Sequence, residues 1–412
     1  MRAASCALAV TLVTASASCR DVAAPPAHAA PGASIVADSD AVRAARREAL
    51  LAKLRAIVAA HPDDGAALYA IAQLEALFGR ADAALDTLAR LDALGWDYPP
   101  DDDVFPGVRD TLRYREIAAR CASREPRAST STPAFTIAER GLVPEGIAFD
   151  PRSGTFYVSS IARRKVVAVD AQGRARDLVR EGEHGLMEAL GMKVDATRDL
   201  LWVASNDEKT GESGVFAFDP STGALRRRAR LSGGHVLNDL AFDERGSLFV
   251  TDTIGGGVYL LVPAVDTLLP YLEPGTFLYP NGIALSDAKT RIFVAHLDGI
   301  AVIDRTTKRI APLAHDAHVS LGGIDGLALH GNALYAIQNG LGHARVVRFD
   351  LDAAMTRVER ATPLETANPA FQVPTTGVVA NGAFVYVANS QLDVQGGAAE
   401  KMREVILLKT SL

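Results

Sequence analysis

One unit recurs six times over the last two-thirds of the chain, and self-similarity at a fixed period narrows the fold more than any other feature. The segments PEGIAFD, EALGMKVD, LNDLAFD, PNGIALS, IDGLALH and TTGVVAN align on Glu145, Leu190, Asn238, Asn281, Asp325 and Thr376, at spacings of 43 to 51 residues. A second strand follows each: FYVSS, LWVAS, LFVTD, IFVAH, LYAIQ and VYVAN, ending at Ser160, Ser205, Asp252, His296, Gln338 and Asn389. Third strands such as KVVAVD, GVFAFD and RVVRFD come next, with turn signals such as Asp150-Pro151-Arg152-Ser153-Gly154 between them. Short strands, a unit of about 46 residues and six copies predict an all-β six-bladed β-propeller over 134–412. The last copy shows only three strands. Ala134–Arg140 (AFTIAER) is therefore expected to supply its fourth and close the ring, so that no blade edge stays open.

The part before the propeller divides into four. Residues 1–19 (MRAASCALAVTLVTASASC) carry one Arg, an apolar stretch from Ala7 to Ala15 and then small residues, the pattern of a secretory signal peptide. Ser16-Ala17-Ser18-Cys19 resembles a bacterial lipobox, which would put a lipid on Cys19; cleavage after Ala27-His28-Ala29 is the other reading. Both predict export, to the periplasm or to a membrane as an anchored lipoprotein. Residues 20–39 read as a flexible Ala/Pro tether. From 40 to 124 the spacing is helical. One helix ends at Ala60 before Pro62, a second opens at Asp63 and Asp64, and a third carries Leu85, Leu88, Leu91 and Leu94 and ends at Gly95. The stretch AALYAIAQLEALFGRADAALDTLARL resembles a single tetratricopeptide repeat. One such repeat cannot bury its apolar face alone, so a helical cap packed on the propeller is expected in preference to a peptide-binding adaptor. Residues 125–133 (EPRASTSTP) read as a linker.

Composition excludes several classes. With 48% hydrophobic and 22% charged residues the bulk of the chain is folded, not disordered. A net charge of −6 without a basic tail argues against nucleic acid as a partner. Three cysteines are too few for a disulfide framework or a Cys-rich zinc module. No apolar run long enough for a transmembrane helix follows the leader.

In a propeller the first strand of each blade lines the central channel, so the first aligned column forms a ring at one mouth. The second strand returns its end to that mouth. Glu145, Asn238, Asn281 and Asp325 are then four oxygen donors around the channel, with Leu190 and Thr376 at the remaining places. Mixed carboxylates and amides suit a hard cation such as Ca²⁺, with Mg²⁺, Mn²⁺ or Zn²⁺ left open. Such a cation is a Lewis acid for a substrate oxygen. Asp325 is the first candidate for the base that activates water and His296 the second; Asn238 and Asp252 are candidates for contact with substrate, and Asp239 reads as a strand-start cap. The pairs Glu145-Gly146, Asn281-Gly282 and Asp325-Gly326 and the order PEGIAFD, LND, PNGIALS, DGLAL resemble the gluconolactonase/regucalcin superfamily over 134–412. That resemblance implies a calcium-type metal held by Glu145, Asn281 and Asp325, with Asn238 as a fourth ligand or reaching metal or substrate through water. It also implies a metal that polarises a lactone or ester carbonyl or a phosphoryl oxygen, hence hydrolysis of small lactones or esters. Two departures stand out. Val236 occupies the place of a sugar-holding Arg, and the helical region is additional. A non-catalytic propeller that docks a protein or ligand through the helical region is the alternative.

Overall fold

The computed structural model describes residues 40–394 and 401–412, apart from 208 and 289. The signal peptide, Cys19 and the tether lie outside the described residues. Six four-stranded antiparallel sheets form the propeller. Blade 1 runs from β2 (Ile147–Asp150) to β5 (Ala175–Val179), and blade 2 from β6 (Glu188–Asp195) to β9 (Leu225–Ser232). Blade 3 comprises β10 (Leu237–Phe242), β11 (Leu248–Asp252), β12 (Gly257–Leu261) and β13 (Leu269–Leu272). Blade 4 runs from β14 (Ile283–Leu285) to β17 (Ile310–Pro312), and blade 5 from β18 (Ile324–His330) to β21 (Val358–Thr366). Blade 6 is built from β22 (Gly377–Ala380), β23 (Ala383–Val387), β24 (Val405–Ser411) and, from the front of the domain, β1 (Thr132–Ile137).

The closing strand is displaced from its expected place. β1 pairs with β24 through Phe135↔Leu407 and Ile137↔Val405, with a register shift after Pro133. It ends at Ile137, the last buried apolar residue of the strand, opposite the first residue of β24, and Glu139 beyond it binds Lys165 Nζ at 2.6 Å. The apolar cores lie between neighbouring blades. Phe293, Leu321, Leu327, Leu334 and Phe349 form one such layer between blades 4 and 5.

The inner strands approach so closely that glycine is required beside the ring. A Cβ on Gly146 would lie 2.1 Å from Leu190 O, one on Gly191 2.5 Å from Asn238 O, and one on Gly282 2.7 Å from Asp325 O. These contacts establish the circular order of the aligned column. They also correct it in blade 6. A Cβ on Gly326 would lie 2.7 Å from Thr375 O, and Gly326 N donates to Thr375 O as Gly282 N donates to Asp325 O. The ring residue is thus Thr375, not Thr376. Thr376 stands where blades 1, 4 and 5 have glycine, and alignment on the Thr pair slipped by one. Thr375 Oγ1 donates to Glu145 O at 3.0 Å and joins the last blade to the first. Val143, Tyr279 and Val373 all have positive φ (49°, 49° and 55°) two residues before a ring residue, so the same strained turn delivers Glu145, Asn281 and Thr375.

Among the described residues four helices precede the propeller: α1 (Asp40–Ala60), α2 (Gly65–Leu77), α3 (Ala81–Ala93) and α4 (Leu112–Arg124). Asp64 caps α2 by accepting Ala67 N–H at 2.9 Å. α2 is buried from Gly65 to Glu75. The helices rest on the mouth-side loops of blades 4 and 5, where Leu297 and Leu341 share one core with Tyr69, Trp96, Phe105 and Tyr114. Arg345 fastens the contact. Its Nη1 lies 3.2 Å from Asp97 Oδ2, its guanidinium 4.1 Å over the Tyr98 ring, and its Nε donates to Gln338. Among the described residues no helix is long and apolar enough to cross a membrane.

Candidate functional site

The ring residues sit where each inner strand begins, so the strand fixes the backbone and the side chain faces its neighbours around the channel. Glu145, Asn238, Asn281 and Asp325 are only 5 to 8% exposed. Asn281 Nδ2 donates to Asp325 Oδ1 at 2.7 Å, and Asn339 Nδ2 donates to Asp325 Oδ2 at 2.7 Å. Asn238 Nδ2 donates to Thr253 Oγ1 at 3.1 Å. In Asn238 and Asn281 the NH₂ group is thus engaged within the protein, while the side-chain carbonyl oxygen accepts no hydrogen bond from the described residues. No hydrogen bond or ion pair from the described residues reaches the Glu145 carboxylate either.

The electrostatics of this ring are unfavourable as they stand. Burial, then the charges of Asp325 and Asp239, push Glu145 well above the usual carboxylate range. Burial pushes Asp325 up to about 7, although the amides of Asn339 and Asn281 oppose it. Asp239 is more than the cap expected from sequence. It does accept the N–H groups of Leu240 (2.8 Å) and Ile283 (3.1 Å), but it is a third buried carboxylate in the same field. Among the described residues its one cation is Lys193, with Nζ at 4.0 Å. Burial raises Asp239 too, against the charge of Lys193.

Such a donor set fits a hard cation. A divalent ion would neutralise two carboxylates that lack a positive partner, and two free amide oxygens stand beside them. Among the described residues no three His, Cys, Asp or Glu side chains converge as ligands, so amide oxygens are needed to complete the set. That composition is a poor match for zinc.

The second column supplies two carboxylate–imidazole pairs. His296 Nδ1 lies 2.8 Å from Asp298 Oδ1, and its ring stacks on Phe277 with centroids 5.2 Å apart. Burial pushes Asp298 up, but the hydrogen bond to His296, the charge of that ring and smaller contributions together leave the carboxyl below its ordinary range. Asp252, expected to touch substrate, is 0% exposed. Its Oδ2 lies 2.6 Å from His235 Nδ1, so His235 stands between it and solvent. Between Glu145 and Asn238 in the ring, Leu190 packs with Val143, Ile161 and Met402, which gives the mouth one apolar segment.

Sequence reading missed Asn339 and Thr253. The available signal was the residue one step past the second column: Asn206, Thr253 and Asn339 all bond to backbone leading into the next blade. Asn339 and Thr253 serve the ring as well as this stitch.

No family model matches the chain. The lactonase drp35 of Staphylococcus aureus (strain USA300) is 25% identical over 172 residues, which is 40% of this chain and 51% of that protein. The Staphylococcus epidermidis lactonase drp35 is 23% identical over 217 residues, 51% of this chain and 62% of that protein. The chain thus spans about half the length of the first of these relatives. Among solved structures, the PQQ-bound aldose sugar dehydrogenase from Streptomyces coelicolor aligns with a TM-score of 0.51 at 18% identity, over 69% of this chain and 99% of that one. That likeness is one of fold. A gluconolactonase from Xanthomonas campestris aligns over 67% of this chain and 89% of its own at 15% identity, with a TM-score of 0.47.

Proposed function

We propose that the chain is an exported, divalent-metal-dependent hydrolase of small lactones or esters, with Ca²⁺ as its ion. One observation carries the reading. Two buried carboxylates, Glu145 and Asp325, face each other's field with no cationic side chain against them among the described residues, flanked by the unengaged amide oxygens of Asn238 and Asn281. Sequence similarity to proteins named lactonase supports the reaction class. The secretory pattern of residues 1–19 supports export, and the lipobox-like Cys19 would anchor the protein to a membrane.

Glu145, Asn238, Asn281 and Asp325 would hold the ion. When bound there, a divalent cation polarises a carbonyl oxygen. The remaining work falls to the chain itself. Both Asp325 oxygens accept amide N–H groups, which leaves His296 better placed than Asp325 to take a proton from the attacking water. Asp298 fixes the His296 ring through Nδ1, so Nε2 is the nitrogen that accepts. Leu190 and its apolar neighbours would receive the non-reacting part of a substrate.

The test is hydrolysis of a panel of lactones, aryl esters and phosphotriesters by chelator-treated protein, with and without added Ca²⁺. Turnover of a lactone or ester that needs Ca²⁺ is expected. Turnover indifferent to chelator, or none with any substrate, would contradict the reading.

A further inference from the structure

The pair formed by His235 and Asp252 has no part in the mechanism above, yet it is the most completely built polar feature at the mouth. Asp252 ends β11 and is fully buried. Its Oδ1 accepts two backbone N–H groups, from Val236 and Gly255, each at 3.0 Å. Its Oδ2 is 2.6 Å from His235 Nδ1. The glycine turn beyond it is shaped around the pair. A Cβ on Gly255 would lie 2.0 Å from Asp252 Oδ2 and 3.2 Å from His235 Nδ1, so no other residue fits. On the far side Gly233 and Gly234 both have positive φ (125° and 79°) and turn the chain so that His235 meets the carboxylate. The Tyr259 ring closes one flank edge-on, with centroids 5.4 Å apart.

A histidine that only filled space would not need a buried carboxylate held by two amides. The arrangement fixes the ring and commits Nδ1 inward. The His235 side chain keeps 16% of its surface exposed, and with Nδ1 engaged the accessible edge is the one that bears Nε2. His235 lies three residues before Asn238, at the same mouth as His296 and one blade away from it. Two oriented imidazoles on adjacent blades can divide the two proton transfers that ester hydrolysis requires.

We infer that His235, oriented by Asp252, is the second acid–base group of the site and protonates the oxygen that leaves. This rests on the hydrolase reading. Water oxygen bonds to the carbonyl carbon and gives its proton to His296. The carbon–oxygen bond to the leaving group then breaks, and its electron pair takes the proton from His235 Nε2. Solvent afterwards returns one proton to His235 and removes one from His296, so protons and electrons balance.

Leaving-group dependence tests the role. A nitrophenolate leaves without help, whereas an alkoxide needs a proton. Full-length protein with Ca²⁺ is assayed on acetate esters of 4-nitrophenol and of a simple alkyl alcohol, as wild type, His235→Gln and Asp252→Asn, with thermal melts as the check on folding. The expected result is a loss of roughly 10²–10³-fold on the alkyl ester and less than about tenfold on the nitrophenyl ester for His235→Gln. Asp252→Asn is expected to show the same asymmetry, smaller in size. Equal losses on both esters, or none, in an active and folded protein would overturn the assignment alone. Wild type inert toward both esters and toward every lactone of the panel would overturn the hydrolase reading and the assignment with it; where only lactones turn over, the same asymmetry is read between an aliphatic and an aryl lactone.

Discussion

The central channel has two halves made by the same inner strands, and they differ sharply. The far half encloses a cavity of about 250 Å³ lined by Ala241, Ile283, Leu285, Leu327, Ala328 and Val378, with Lys193 the one charged side chain on its wall. The near half carries Glu145, Asp239 and Asp325, all buried, within a few residues of those apolar positions. The far half shows what closure of the propeller alone asks for: small and branched apolar residues at close quarters. Three carboxylates withdrawn from water oppose folding unless something compensates them. The near half therefore departs from what the fold requires, and that departure marks the site.

The contrast breaks most readily at the ring. Glu145→Gln and Asp325→Asn are each expected to lower Ca²⁺-dependent turnover by roughly 10²–10³-fold, as loss of a charge-stabilising group does in other active sites. Each should at the same time raise the melting temperature of the metal-free protein, because a buried repulsion disappears. Loss of turnover accompanied by loss of metal-free stability would assign these residues a packing role.

The helical cap covers only the near face, at blades 4 and 5. Leu341→Ala removes a fully buried side chain from the shared core and is expected to cost about 2–4 kcal/mol of stability, read by denaturant titration. Cation affinity should stay within a few-fold. A large change would show that the cap belongs to the ring itself.

Titration sharpens the contrast further. Asp325 moves from an ordinary 3.8 up to about 7 in the folded, metal-free protein. The folded state then binds the proton more tightly than the unfolded chain, so this group's contribution is fully present below pH 4 and is lost as pH rises towards 7. Metal-free stability should fall over that window, less steeply in Asp325→Asn. Cation affinity should rise over the same window, since binding needs the carboxylate. The smallest effect belongs to the far half. Lys193→Met is expected to lower metal-free stability by under about 1 kcal/mol, given the 4.0 Å separation from Asp239.

The periodic part of the molecule was legible because each blade repeats one strand pattern. The column from Glu145 to Asp325 could be read from spacing alone, since glycine follows wherever inner strands nearly touch. The same cue misplaced blade 6, where Thr376 stands in for that glycine and Thr375 takes the ring. What spacing does not carry is the partner of a side chain. Asn339 lies one residue past the second column and reaches back to Asp325, and Asp239 turns a cap into a third buried charge. His235 and Asp252 are 17 residues apart and meet only because β10 and β11 pair. The docking of α2 on blades 4 and 5 joins segments with no shared periodicity, so its expectation rested only on the need of a lone helical pair for a neighbour.

The most direct measurement is a calorimetric Ca²⁺ titration of chelator-treated protein at pH 8, alongside Glu145→Gln. One site of micromolar or tighter affinity in the wild type, weakened at least about a hundredfold in the variant, is the expected result. A folded wild type that binds no Ca²⁺, or binds it equally well without the Glu145 carboxylate, would contradict the assignment of the ring as a cation site.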